Sequence, residues 1–211
     1  MALDTYAGLQ TEIADWLDRA DLTSKIPTFI RLFEAQAERK LRLRQMLVSN
    51  EQGTVGTDGL IALPENFLAL HNLSIIDANG NPLPITYAAK HQTDQRRTDL
   101  ISAGQPRLYT LSKTAIELAP YPDTTYTYEL SYWEKLPKLS TSVSSNWLLA
   151  DHPDLYLYGS LMQAEPYLKH DERIDVWSSA LATLLEDLTL ADERAMRGGN
   201  PLKLRLGRAY G

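Results

Sequence analysis

Apolar residues fall at three- and four-residue steps near both ends of the chain and at two-residue steps in between. Leu3, Tyr6, Gln10, Ile13, Trp16, Leu17 and Ala20 mark a first helix, with Asp4 or Thr5 available as its cap. A second helix is predicted from Ile26-Pro27, because the missing N–H of proline costs nothing in a first helical turn. Phe29, Ile30, Phe33, Ala37 and Leu41 form its apolar stripe. Two more helices are expected towards the other end. One starts near Asp151–Asp154, carries Leu155, Tyr158, Leu161, Met162 and Leu168, and is kinked or ended by Pro166. The other starts near Asp171-Glu172 and has the cleanest stripe: Ile174, Trp177, Leu181, Leu184, Leu185, Leu188 and Ala191. It stops at Gly198–Pro201.

The period changes after Gln45. Leu47–Gln52 reads as a strand and Gly53–Gly59 as a turn region. Leu60–Leu63 is short and apolar, halted by Pro64. Leu68–Asp77 and Leu83–Tyr87 flank Ala78–Pro82, a hairpin signal built on Asn79-Gly80. Residues 88–103 are polar and fit either a short helix or a loop. Arg107–Leu111 and Ala115–Leu118 flank a second candidate hairpin turn at Ser112–Thr114. Tyr126–Trp133 alternates, with Tyr126, Tyr128, Leu130 and Tyr132 on one face and Thr127, Glu129, Ser131 and Trp133 on the other. Together these predict an antiparallel sheet or small barrel of about six to eight strands. A Ser/Thr-rich connector, 134–150, follows.

The outer helices must meet in space to bury their apolar faces. The expected fold is therefore α+β: a four-helix bundle built from both chain ends, with an inserted antiparallel β-sheet or barrel domain. Its parts are the N-terminal helices (1–46), the β domain (47–135), the connector and C-terminal helices (136–197) and a basic C-terminal arm (198–211).

Composition narrows the chemistry. There is no cysteine among the 211 residues, so disulfides, thiolate nucleophiles and Cys-ligated metals are excluded. The opening residues, Met1–Tyr6, lack a basic and apolar leader, so the chain is expected to be made and used without secretion. No apolar run is long enough to span a membrane. The formal charge of −6 argues against a protein that wraps DNA, yet permits DNA to pass by without sticking.

No catalytic, cofactor or metal site is expected. His71, His91, His152 and His170 form no HxH or HxxxH pair. Asp151-His152 beside Asp154 reads as a helix cap rather than a metal or acid–base cluster. Gly53, Gly56 and Gly59 lack the following helix and lysine of a phosphate loop. Glu186 and Asp187 are adjacent on a helix and do not face each other.

Three features remain as candidate partner surfaces. Arg39, Lys40, Arg42 and Arg44 load the end of the second helix, either complementing its dipole or forming a basic ridge for an acidic partner. Tyr126, Tyr128, Tyr132 and Trp133 suit core packing and subunit contacts, with a sugar or base platform as the alternative. The tail carries Arg194, Arg197, Lys203, Arg205 and Arg208 with no acid after Arg194, and Leu202, Leu204 and Leu206 alternate with its charges. Such an arm can add a strand to a partner or remain a frayed terminus. Arg197, Lys203, Arg205, Arg208 and Tyr210 are its candidate docking residues.

Ordered pieces along most of the chain resemble tailed-phage head-to-tail adaptor (connector) proteins. They are Thr5-Tyr6, Ile13–Leu17, Asp21-Leu22, Ile26–Ile30, Glu34-Ala35 and Leu41-Arg42 at the start. Gly104–Tyr109, Leu118–Asp123 and Leu130–Trp133 follow in the middle. Trp147–Leu149, Pro153–Gly159, Ala164–Tyr167, Asp171–Arg173 and Trp177 close the set. The resemblance implies a non-enzymatic virion component in the neck, made in the host cytoplasm. It also implies a ring, usually twelvefold, between the portal protein and the tail nozzle or tail tube, with DNA passing through its centre. An arm over Pro201–Gly211 would reach the portal. A rival reading is a carbohydrate-binding or hydrolytic virion protein that uses the aromatic β domain. A second rival is a DNA-binding module using Arg39–Arg44 and the tail.

Overall fold

A computed structural model describes residues 3–99, 103–168 and 172–196. The chain divides into two compact units, Met1–Arg44 with Leu136–Gly211, and Gln45–Lys135. Six α-helices lie among the described residues: α1 (Tyr6–Leu17), α2 (Ile26–Lys40), α3 (Lys90–Asp99), α4 (Trp147–Asp151), α5 (Pro153–Met162) and α6 (Arg173–Met196). Helix α3 belongs to the second unit; the other five build the first.

Local chemistry sets the helix ends. Thr5 caps α1 by accepting the Gly8 N–H at 3.2 Å, which serves one of the donors a helix start leaves unpaired. Pro27 sits in the first turn of α2. Leu9, Ile13 and Leu17 of α1 and the Phe29, Ile30, Phe33 and Ala37 stripe of α2 are buried, as their spacing predicts. Helix α5 is apolar nearly all round and buries Leu155, Tyr156, Leu157 and Leu161, which marks it as an interior helix. It packs against α1, α2, α4 and α6. Each such leucine taken out of water contributes about 2 kcal/mol.

Several expectations here need correction. The connector ends sooner than expected, because Asn146 accepts the Leu149 N–H at 2.9 Å and starts α4 at Trp147. Asn146 caps α4, and His152 is the N-cap residue of α5, without a side-chain cap bond. Pro166 does not kink α5, which stops at Met162; it lies in a separate 3-10 turn, Glu165–Tyr167. The expected stripe of α6 packs on α5, with Trp177 and Leu181 buried, Ile174, Leu184, Leu185 and Leu188 half-buried and Ala191 exposed.

The described residues of the second unit form eight strands: β1 (Leu47–Val55), β2 (Leu60–Ala62), β3 (Phe67–Ile76), β4 (Pro82–Leu83), β5 (Thr86–Tyr87), β6 (Leu108–Leu111), β7 (Ala115–Ala119) and β8 (Tyr126–Glu134). They form two four-stranded sheets, ordered β1-β8-β3-β4 and β2-β7-β6-β5, curled around one core as a half-barrel. Val55, Leu73, Ile75 and Leu130 from the first sheet meet Ile61, Ile116 and Leu118 from the second. The pairing is antiparallel except for β5, which runs parallel to β6. The stretch expected as one strand over Leu83–Tyr87 is split at Pro84, which has no N–H to donate to a ladder, and its halves join different sheets. The hairpin at Ala78–Pro82 is present, with Gly80 at φ 84° and the Asp77 carboxylate accepting the Asn79 and Asn81 N–H groups at 2.9 and 2.8 Å.

Two further departures have clear causes. Gly53 is not a turn residue; it lies within β1 opposite Tyr128, whose ring covers the place a Cβ would occupy. The polar stretch after Tyr87 resolves to helix α3, which has no apolar stripe of its own. It is held by Arg97, whose Nε donates to Leu118 O at 2.9 Å and whose guanidinium lies 4.6 Å from the Tyr121 ring centre. Arg97 also pairs with Glu117 at 3.1 Å, and Lys90 reaches the same carboxylate at 2.8 Å.

Candidate interaction surfaces

The basic end of α2 divides into two roles. Arg42 Nη1 donates to the Glu38 and Leu41 carbonyls at 2.7 and 2.5 Å, which closes the C-terminal end of the helix where carbonyls lack internal partners. Arg44 is exposed, and its backbone N–H donates to both carboxylate oxygens of Asp192 on α6 at 3.1 Å. Arg39 and Lys40 stand exposed on the last turn of α2. With the exposed Arg44 side chain, which that backbone bond does not engage, these two keep the character of a surface for an acidic partner.

The aromatic candidates fall on two faces of β8. Tyr126 is in the core, and its hydroxyl donates to Asp123 Oδ1 at 2.7 Å. Burial and that carboxylate push its phenol up to about 12. Tyr128 is half-buried against the same core, and Tyr132 lies within it, stacked on Phe67 at 5.7 Å. Trp133 points to the other face, half-buried, with the His71 ring edge-on at 5.5 Å. The structure therefore does not gather Tyr126, Tyr128 and Trp133 into one patch. The arm residues Arg197, Lys203, Arg205, Arg208 and Tyr210 lie outside the described residues, as does His170.

A buried polar network in the helical unit has no counterpart among the expected sites. Glu34 of α2 is fully buried. Its Oε1 accepts the Leu139 N–H at 2.8 Å and the Tyr156 hydroxyl at 3.2 Å. Asn146 Nδ2 donates to Tyr156 Oη and to Pro137 O, both at 2.7 Å. Burial raises the Glu34 carboxyl above its ordinary value, opposed by the Leu139 N–H, the Tyr156 hydroxyl and Lys138. The network fixes the re-entering segment after Leu136 against α2 and α5. A signal for it exists in the sequence: Glu34 follows Ile30 by four and precedes Ala37 by three, which places an acid on the buried stripe.

Among the described residues no group of three or more His, Asp or Glu side chains is placed to hold a metal ion. No described helix is long and apolar enough to cross a membrane. The described residues thus define a mixed α+β chain whose functional candidates are charged and apolar surfaces. The chain belongs to the SU10 adaptor protein family, whose model matches residues 4–205, a family of phage head-to-tail adaptors. It is accordingly a bacteriophage structural component that works among other head and tail proteins. A comparison with curated proteins finds no match.

Proposed function

We propose that this chain assembles as a ring, twelvefold in the simplest case, in the virion neck between the portal protein and the tail nozzle or tail tube. The helices from both chain ends act as one four-helix bundle in that ring, and DNA passes through the centre. The protein works there as a connector and not as an enzyme, after synthesis in the host cytoplasm. The observation that carries this reading is the family match along nearly the whole chain.

Charge supports the passage of DNA. Twelve copies at −6 carry a formal −72, so the ring as a whole repels phosphate rather than holding it. The basic stretch from Arg197 to Arg208 is then free to seek acidic portal surface, in a contact that salt weakens.

The test is co-sedimentation of the purified protein with portal rings of the same phage at low and high salt, followed by particle imaging. A stoichiometric ring stacked on the portal is expected. Absence of association at every salt concentration, with the chain folded, rejects the adaptor position. Deletion of residues 201–211 is expected to leave a folded chain that binds the portal at least about tenfold more weakly, as loss of several charged contacts implies. Unchanged portal affinity rejects the docking arm alone.

A further inference from the structure

Helix α6 is 24 residues long and buries two of them. Five further apolar residues of α6 line two grooves beside it, Ala182, Leu185 and Leu190 in one and Ala180 and Leu184 in the other. The first, about 420 Å³, lies between α6 and the end of α2, lined by Lys40, Leu41, Ala182, Leu185, Glu186 and Leu190. The second, about 460 Å³, lies between α6 and α5, lined by Asp154, Tyr158, Ser179, Ala180, Thr183 and Leu184. At about 100° per residue, Ala182 and Leu185 project from nearly the opposite side of the helix to Ala180 and Thr183. Leu190 is 40% exposed and Val176 is 65% exposed. The α6 stripe packs on α5, and each flank keeps an open, partly apolar groove.

The charges on the two flanks are complementary. Lys40 forms the wall of the first groove, and Arg39 stands exposed beside it. The second groove carries Asp154, and Asp187 follows one turn after Thr183 on the same side of α6. Glu186 also lines the first groove, and exposed Arg194, two turns beyond Asp187, offers it an opposite charge. A two-fold contact through the first groove would pair that groove with itself and leave the second uncovered. Placing the first groove of one copy on the second flank of the next brings Lys40 to the flank that carries Asp154 and Asp187, and covers both grooves with one repeated contact.

We propose that α6 is the seam between successive copies of this chain, joined head to tail through its two unlike flanks. Such a heterologous contact generates a ring when its rotation closes. The inference rests on the ring reading above and names the interface of that ring.

The absence of cysteine allows a direct test. Thr189→Cys marks the first flank and Thr183→Cys the second; both positions are exposed. Each variant, alone and mixed one to one, is treated with a short flexible bismaleimide, free and bound to portal rings. The mixture is expected to give about tenfold more cross-linked dimer than either variant alone, and Lys40→Glu introduced on the Thr189→Cys chain is expected to reduce it about tenfold. Asp187→Lys on the other chain is expected to restore it. A ring on the portal without mixed cross-links overturns the α6 seam while the adaptor reading stands. Mixed cross-links without portal association uphold the seam and reject the adaptor position. Neither association nor cross-links rejects both, and equal cross-linking of single and mixed samples overturns the head-to-tail geometry.

Discussion

Replacing Gly159 with alanine is expected to destabilise the protein by about 2 kcal/mol, although glycine to alanine in an open helix stabilises by about 1 kcal/mol. Gly159 is buried in the middle of α5. A Cβ built there would lie within the Phe33 ring, overlapping Cδ2, Cε2 and Cγ. That ring cannot swing away. Phe33 is 1% exposed, and its other side meets Tyr156 edge-on at 5.1 Å. Glycine is therefore the residue that lets α5 approach α2 closely enough to bury both. Valine at the same place should cost more than 3 kcal/mol, because two further methyl groups enter the same ring. The check is the urea midpoint at constant slope, for Gly159→Ala, Phe33→Leu and the double variant. Phe33→Leu should absorb part of the alanine's cost, making the pair strongly non-additive. A Gly159→Ala protein as stable as the parent would show that α2 and α5 are held less closely than described.

The same close approach explains what the sequence made legible and what it did not. The paired helices of the first 40 residues, the Asn79-Gly80 hairpin and the alternation of β8 were readable because each has its signal within one turn or one strand. Gly53 was taken for a turn because its reason for being glycine lies 75 residues away, at Tyr128. Helix α3 had no periodicity to read, since Arg97 and Thr93 rather than an apolar stripe hold it. The α6 stripe was legible as a helix, but a stripe does not say how deeply another helix, here α5, will cover it. Among the candidate surfaces, Arg39, Lys40 and Arg44 are exposed. Arg42 was consumed by capping, a local use that charge counting cannot separate from partner binding. Family membership was accessible through ordered short matches, whereas the network around Glu34 required the segment after Leu136 to return in space.

The largest pH effect is expected from that network. Glu34→Gln should flatten the acid side of the stability curve, and Glu34→Ala should cost about 3 kcal/mol at low pH and less as pH rises, by leaving the buried Leu139 N–H unpaired and a void behind. Burial raises the Glu34 carboxyl above its unfolded value, so between those two values the folded chain holds a proton that the unfolded chain has released. Stability from this group is thus fully present below the unfolded value and is lost as pH rises through the folded one. Burial also holds the Tyr156 phenol far above its ordinary value, so it stays a donor to Glu34 throughout that range. Glutamine keeps the acceptor for Leu139 and Tyr156 but cannot ionise. The difference in unfolding free energy, parent minus Glu34→Gln, should therefore decline from about pH 4 upward and then level off. Because one Glu34 oxygen has no hydrogen-bond partner among the described residues, the ionised form gains nothing from them there that would offset its desolvation. Parallel pH curves for the two proteins would mean that Glu34 meets water in solution, and that the segment after Leu136 is not sealed over α2.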